Sequence, residues 1–239
     1  MNFHLWSPML IVYCVLLVLT CLIGDHLPRM NHVGPYINRH LLLRVAIDNF
    51  THGIIGFLSW AIVLDLDLLD TDSNTPPVMF HPSSGFVPTR SLVDAQQRNL
   101  LACLFCMLLA MSVDVDHFLA ARSFSLQDAL SLPSRPPFHC TTLIPVVVAS
   151  SLLMTYAFHS RQFCRCFKFS LLFLTACLSH HIRDARRHGL WLWPFGATPP
   201  LPYMVYILCT LLLPVAVKFC HNTLFIENQP THQGSVQIL

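Results

Sequence analysis

Six apolar runs limit what this chain can become. They cover about 8–24, 44–64, 97–113, 141–158, 169–182 and 201–219. About 20 apolar residues in a helix cross the roughly 30 Å hydrocarbon core of a bilayer. Lipid offers no partner for free backbone groups, so a spanning segment must satisfy its own, as a helix does. The expected fold is an all-α, polytopic integral membrane bundle of five to six transmembrane helices, forming one domain over 1–239. Composition agrees: 54% of residues are hydrophobic and 11% charged, under half of the roughly 25% charge usual in soluble domains. Mean hydropathy is +0.56. The formal net charge is only +2, and no basic cluster alternates with aromatics, so nucleic acid is not an expected partner. The expected partner is the lipid bilayer; organelle and oligomeric state are not encoded legibly.

No Lys or Arg precedes the first run, which reads as a retained helix rather than a cleaved signal. Residues 65–96 form a polar loop that opens with Asp65, Asp67, Asp70 and Asp72. It lacks the Gly and distal Glu of a calcium-binding loop, so it reads as solvated. Ser125 and Asp128 have capping-box spacing, predicting a short helix over 126–132 stopped by Pro133. Residues 220–239 form a polar tail. Most of the ten cysteines lie inside apolar runs and read as small hydrophobes, the Cys103-x-x-Cys106 pair included. Gly53 and Gly56 allow another helix to come close.

The stretch 178–196, LSHHIRDARRHGLWLWPFG, breaks the apolar pattern. On a helix, His180, Asp184 and His188 share a stripe at i, i+4 and i+8. Gly189 is the predicted helix stop, and Trp191 and Trp193 are predicted interface anchors. Ionisable groups at membrane depth are costly unless paired, hydrated or metal-bound. The other exceptions fall at comparable places: Asp48 and His52 open the second run, Asp114, Asp116 and His117 close the third, and His139 precedes the fourth. With six spans, all of them face the odd-numbered connections and therefore one side of the membrane. Eight of the 14 basic residues flank that side, which tilts it toward the cytoplasm.

Imidazole and carboxylate together suit Zn²⁺, Mn²⁺ or Fe²⁺, with Zn²⁺ favoured. The candidate ligands are His52, Asp114, His117, His139, His180, Asp184 and His188. A metal with an open position lowers the pKa of water from about 15.7 to about 7, and Asp116 or Asp48 is the candidate general base. Arg183, Arg186 and Arg187 flank the same place, and their planar forks suit a lipid or other membrane-associated anionic substrate. Structural roles fit the same residues: Asp48 and His52 as an intramembrane pair, Asp184 with Arg187, and the three arginines as topology-setting charges.

Asp114-Val115-Asp116-His117, then Arg135 and His139, then Leu178-Ser179-His180 with Asp184 resemble the bacterial inner-membrane metal-dependent hydrolase family. That family carries D-I-D-H, H-R-G-x-T-H-S and L-S-H-x-x-x-D in this order, and Thr51-His52 with Gly56 resembles its T-H-x-x-x-G element. The resemblance implies a polar site of His52, Asp114, Asp116, His117, His139, His180 and Asp184. Ser134 stands where the family has its first His, Pro136 replaces the Gly, Phe138 the Thr and Cys140 the final Ser; His188 is additional. From Asp48 to about Tyr206 the chain also resembles the transmembrane protein 267 family, notably in DVDHFLAARSFSLQDALSLPSRPPFHC and SHHIRDARRHGLWLWPFG. That family name implies topology and no activity.

The expected function is a divalent-metal-dependent hydrolase, or a catalytically degenerate relative, acting on a membrane-associated ester or phosphodiester. A non-catalytic scaffold using the cluster structurally is the alternative. Ion or proton transport is third, because the opposite halves of the runs lack polar groups.

Overall fold

The computed structural model describes residues 8–66, 89–157 and 163–226. The regular structure among the described residues is helical, apart from a hairpin of two two-residue strands. Helices α1 (Pro8–His26), α3 (Leu41–Leu64), α4 (Thr89–Ser112) and α9 (Tyr203–Ile226) contain apolar stretches long enough to cross a membrane. Helix α7 (Leu143–Ala157) is apolar but has 15 residues, about 22 Å at 1.5 Å per residue. Helices α2 (Gly34–Arg39), α5 (Val115–Ala121) and α6 (Leu126–Leu130) are short. This is a multi-pass, all-α membrane bundle.

Helix α8 (Phe163–His188) organises it. It carries the most polar sequence of the long helices, yet it touches α3, α4, α7 and α9. Ser170, Thr175, Ser179, His180, His181 and Arg183 are all buried on it. Lipid would leave such groups unsatisfied, so the least apolar long helix occupies the middle. Thr175 and Ser179 donate to carbonyls of their own helix, which removes part of that cost. The apolar helices surround it and turn Leu108, Leu153 and Leu212 outward.

Helix ends depart from the apolar runs. Helix α4 begins at Thr89, inside the expected 65–96 loop, because Asp94, Gln96, Gln97 and Arg98 continue a helix without adding hydropathy. Residues 67–88, with Asp67, Asp70 and Asp72, lie outside the described residues. Helix α8 extends beyond 169–182 at both ends for the same reason. Helix α9 runs into the expected polar tail as far as Ile226, and 227–239 lie outside the description. Ser125 accepts from the Asp128 N–H at the start of α6, and the helix stops at Leu130, before Pro133.

Close packing of α3 on α4 depends on small residues. A Cβ at Gly53 would sit 2.8 Å from Met111, and one at Gly56 2.9 Å from the Ala110 Cβ. Gly189 ends α8 with φ +72°, and a Cβ there would collide with the Thr198 carbonyl. Beyond it, strands β1 (Trp191–Leu192) and β2 (Gly196–Ala197) pair antiparallel. Strands this short leave no alternating pattern by which the hairpin could be foreseen.

Candidate metal centre

Four elements supply the polar groups. His52 comes from α3, and Asp114 and Asp116 from the α4–α5 junction. His139 lies on a single 3₁₀ turn, Pro137–His139, and His180 and Asp184 on α8. The turn is held by its surroundings. Arg135 donates one Nη to the Gly189 carbonyl at 3.1 Å and the other to the His188 carbonyl, so it caps the end of α8. Thr141 donates its N–H to the Trp191 carbonyl at 2.8 Å. The Phe138 N–H donates to Asp116 Oδ2 at 2.7 Å. His181 donates Nε2–H to the Phe138 carbonyl at 2.9 Å and accepts from the Thr141 hydroxyl at 3.1 Å.

The ligand atoms then converge. His139 Nε2 lies 3.4 Å from Asp114 Oδ1 and 3.4 Å from Asp184 Oδ2. His180 Nε2 lies 3.4 Å from each of the same two oxygens, and the two Nε2 atoms are 3.4 Å apart. Ligands about 2.1 Å from a tetrahedral ion are separated by about 3.4 Å. Five of the six edges therefore match such an ion, and all four atoms lie within 4.8 Å of one another.

The far sides of the rings agree. His180 Nδ1 faces the Ala110 carbonyl at 2.9 Å, one of the last four carbonyls of α4, which lack a helical donor. His139 Nδ1 faces the Asp116 carboxylate at 3.3 Å. Each ring can donate Nδ1–H outward and keep the Nε2 lone pair for an ion, the usual carboxylate- or carbonyl-backed histidine arrangement. His139 is nearly buried, which lowers its basicity, but Asp114, Asp116 and Asp184 outweigh burial and raise its pKa to about 11. Without a metal it holds a proton.

The remaining candidates take other places. His52 is buried, stacks on His180 with ring centroids 3.8 Å apart, and points Nε2 at Asp184 Oδ1 from 3.3 Å. His117 Nδ1 sits 3.3 Å from Asp116 Oδ1 and 3.9 Å from Asp114; with Asp116 and His139 it forms a second, three-member group able to hold an ion. His188 lines the same cavity but is absent from both groups, since its position at the end of α8 leaves it exposed.

Asp48 and the three arginines form a neighbouring network. Arg187 donates to both Asp48 oxygens, at 2.7 and 2.9 Å. Arg183 Nη2 lies 2.6 Å from Asp48 and 3.5 Å from Asp25. Arg186 lies 2.8 Å from Asp25 and stacks on Tyr203. The arginines are thus committed to two carboxylates. Asp25 and His181 escaped sequence reasoning. Asp25 closes the first apolar run on the odd-connection side, a signal that could have found it; for His181 no signal separates it from its neighbour.

A cavity of about 480 Å³ opens over the cluster, within the usual range for ligand sites. Asp114, His139 and Asp184 line it together with Val45, Phe118 and Leu130.

Fold and site together define a multi-pass membrane protein with a His/Asp group able to hold a metal ion. The chain belongs to the transmembrane protein 267 family. It is 38% identical over 199 residues to Transmembrane protein 267 of Mus musculus, covering 83% of this chain and 77% of that one. Against Transmembrane protein 267 of Danio rerio it is 36% identical over 194 residues, covering 81% and 72%. No family model matches the chain, and no solved structure does.

Proposed function

We propose that this protein is a divalent-metal-dependent hydrolase of membrane-associated esters or phosphodiesters. The observation that carries the reading is the near-tetrahedral meeting of Asp114, His139, His180 and Asp184, with five equal edges of 3.4 Å. Zinc fits those edges best. A divalent ion held there supplies Lewis acidity and activates water at neutral pH. Four protein ligands close a tetrahedral ion, whereas catalytic zinc keeps one position open. Asp114 is the ligand placed to yield, because its side chain is 32% exposed toward the cavity while that of His180 is fully buried.

Asp116 suits an orienting role rather than that of a base, because it already accepts from Phe138 and faces two histidines. His117 lines the cavity and is backed by Asp116, which suits proton exchange with a bound substrate. Arg187 is 44% exposed. The three arginines outnumber Asp25 and Asp48 by one, which favours a substrate with an anionic group.

A second reading rests on His139. Its imidazolium lies between three carboxylates and can join the helix ends with no metal, as a scaffold would. Elemental analysis of the purified full chain separates the two. One equivalent of metal, lost in Asp184→Asn together with turnover of a phospholipid or aryl ester, supports the hydrolase. A folded protein with no stoichiometric metal overturns it.

A further inference from the structure

A second cavity, about 220 Å³, lies beside the cluster between α4, α7 and α8. Its walls include Val113, Phe138, Ile144, Val147, Phe173 and Cys177. It abuts the centre through the chain itself. Val113 immediately precedes Asp114, Phe138 immediately precedes His139, and Cys177 lies one helical turn before His180. Phe138 takes part on both sides: its backbone binds Asp116 and His181, and the residue also lines the apolar space.

The surface around this cavity is apolar and exposed. Phe105, Leu108, Val146 and Phe169 stand 42–61% exposed on the same three helices, and Val147, at the cavity edge, is 40% exposed. In a membrane bundle, an exposed apolar groove of this kind favours hydrocarbon over water. We propose that this groove holds one acyl chain of a lipid substrate, with the scissile ester or phosphoester of that lipid at the His/Asp cluster. The substrate assignment rests on the hydrolase reading; the lipid site itself does not. An apolar wall paired with a few convergent polar groups is the usual make-up of a ligand site. Here the two halves meet across a single residue, so a lipid lying along α4 would reach both.

The test uses the full chain in nanodiscs of phosphatidylcholine carrying a photoactivatable diazirine midway along one acyl chain. Labelled peptides are mapped by mass spectrometry, and metal content is measured on the same samples. The expected result is concentrated labelling at Val113, Ile144 and Phe173, lost in Val147→Trp, which fills the mouth of the groove. Leu108→Trp, on the open lipid face, should leave that labelling intact. Metal content should be equal in all three proteins. Labelling spread evenly over Phe105, Leu108 and Phe169, or unchanged in Val147→Trp, overturns the proposal. Groove labelling in a protein that binds no metal leaves the lipid site standing and removes the hydrolase assignment alone.

Discussion

Two polar clusters share one helix, and they differ in what holds them. On α8, Arg183, Arg186 and Arg187 meet Asp25 and Asp48, while His180 and Asp184, on the same turns, meet His52, Asp114 and His139. Guanidinium is always charged and offers only donors, so the bases of the first cluster neutralise its carboxylates and add no lone pair for a metal ion. Imidazole can give up its proton and then offers a lone pair, so the second cluster can exchange protons for an ion. Neighbouring carboxylates thus acquire different tasks from the kind of base placed beside them.

Breaking the first cluster should cost most. Arg183→Ala leaves Asp25 and Asp48 without their shared cation. Arg183 is 2% exposed, and removing one partner of a buried pair typically costs about 3–5 kcal/mol. Loss of monodisperse protein in size-exclusion chromatography is the expected outcome. Asp184→Asn should act differently, leaving the bundle monodisperse while metal content falls from one equivalent to none. Asp116→Asn removes only the group behind His139, and metal affinity should drop about 10- to 100-fold by competition titration.

The pH dependence sharpens the contrast. His139 has a folded pKa of about 11, above its ordinary value of about 6.5. In metal-free protein its contribution to stability is therefore complete below that ordinary value and is lost as pH rises through the folded one. Metal binding requires the same nitrogen deprotonated, so affinity should rise with pH. Thermal stability of chelated and loaded samples should diverge as pH increases. The smallest effect is expected at the opposite end of the bundle. Lys218 pairs with Asp65, which is 51% exposed, and Lys218→Ala should change stability by about 1 kcal/mol or less.

Much of this was readable from the residues. Apolar runs marked the helices, and the order of Asp114, His139, His180 and Asp184 marked the groups that meet. Their division of labour was not readable. Asp116 and Asp114 are two residues apart with the same side chain, and only the distances to His117, His139, His180 and the Phe138 N–H tell their surroundings apart. Asp25 could not be recognised as a partner of Arg183 and Arg186 because it is more than 150 positions away in the chain. His188 continues the stripe of His180 and Asp184 on a helical wheel, but the helix ends there and the cluster lies behind it. The polar character of α8 concealed its central place, since hydropathy registers a buried charged helix and a surface one alike.

His139 is carried by a turn, and that turn is tied down through Arg135 to the last carbonyls of α8. The ordering of events during biosynthesis follows. A fragment ending before position 189 lacks the Gly189 carbonyl that anchors the turn, so on the metal reading an ion is captured after the penultimate long helix has been inserted and the turn docked on its end. Release should follow the reverse path, through the turn rather than through the bundle.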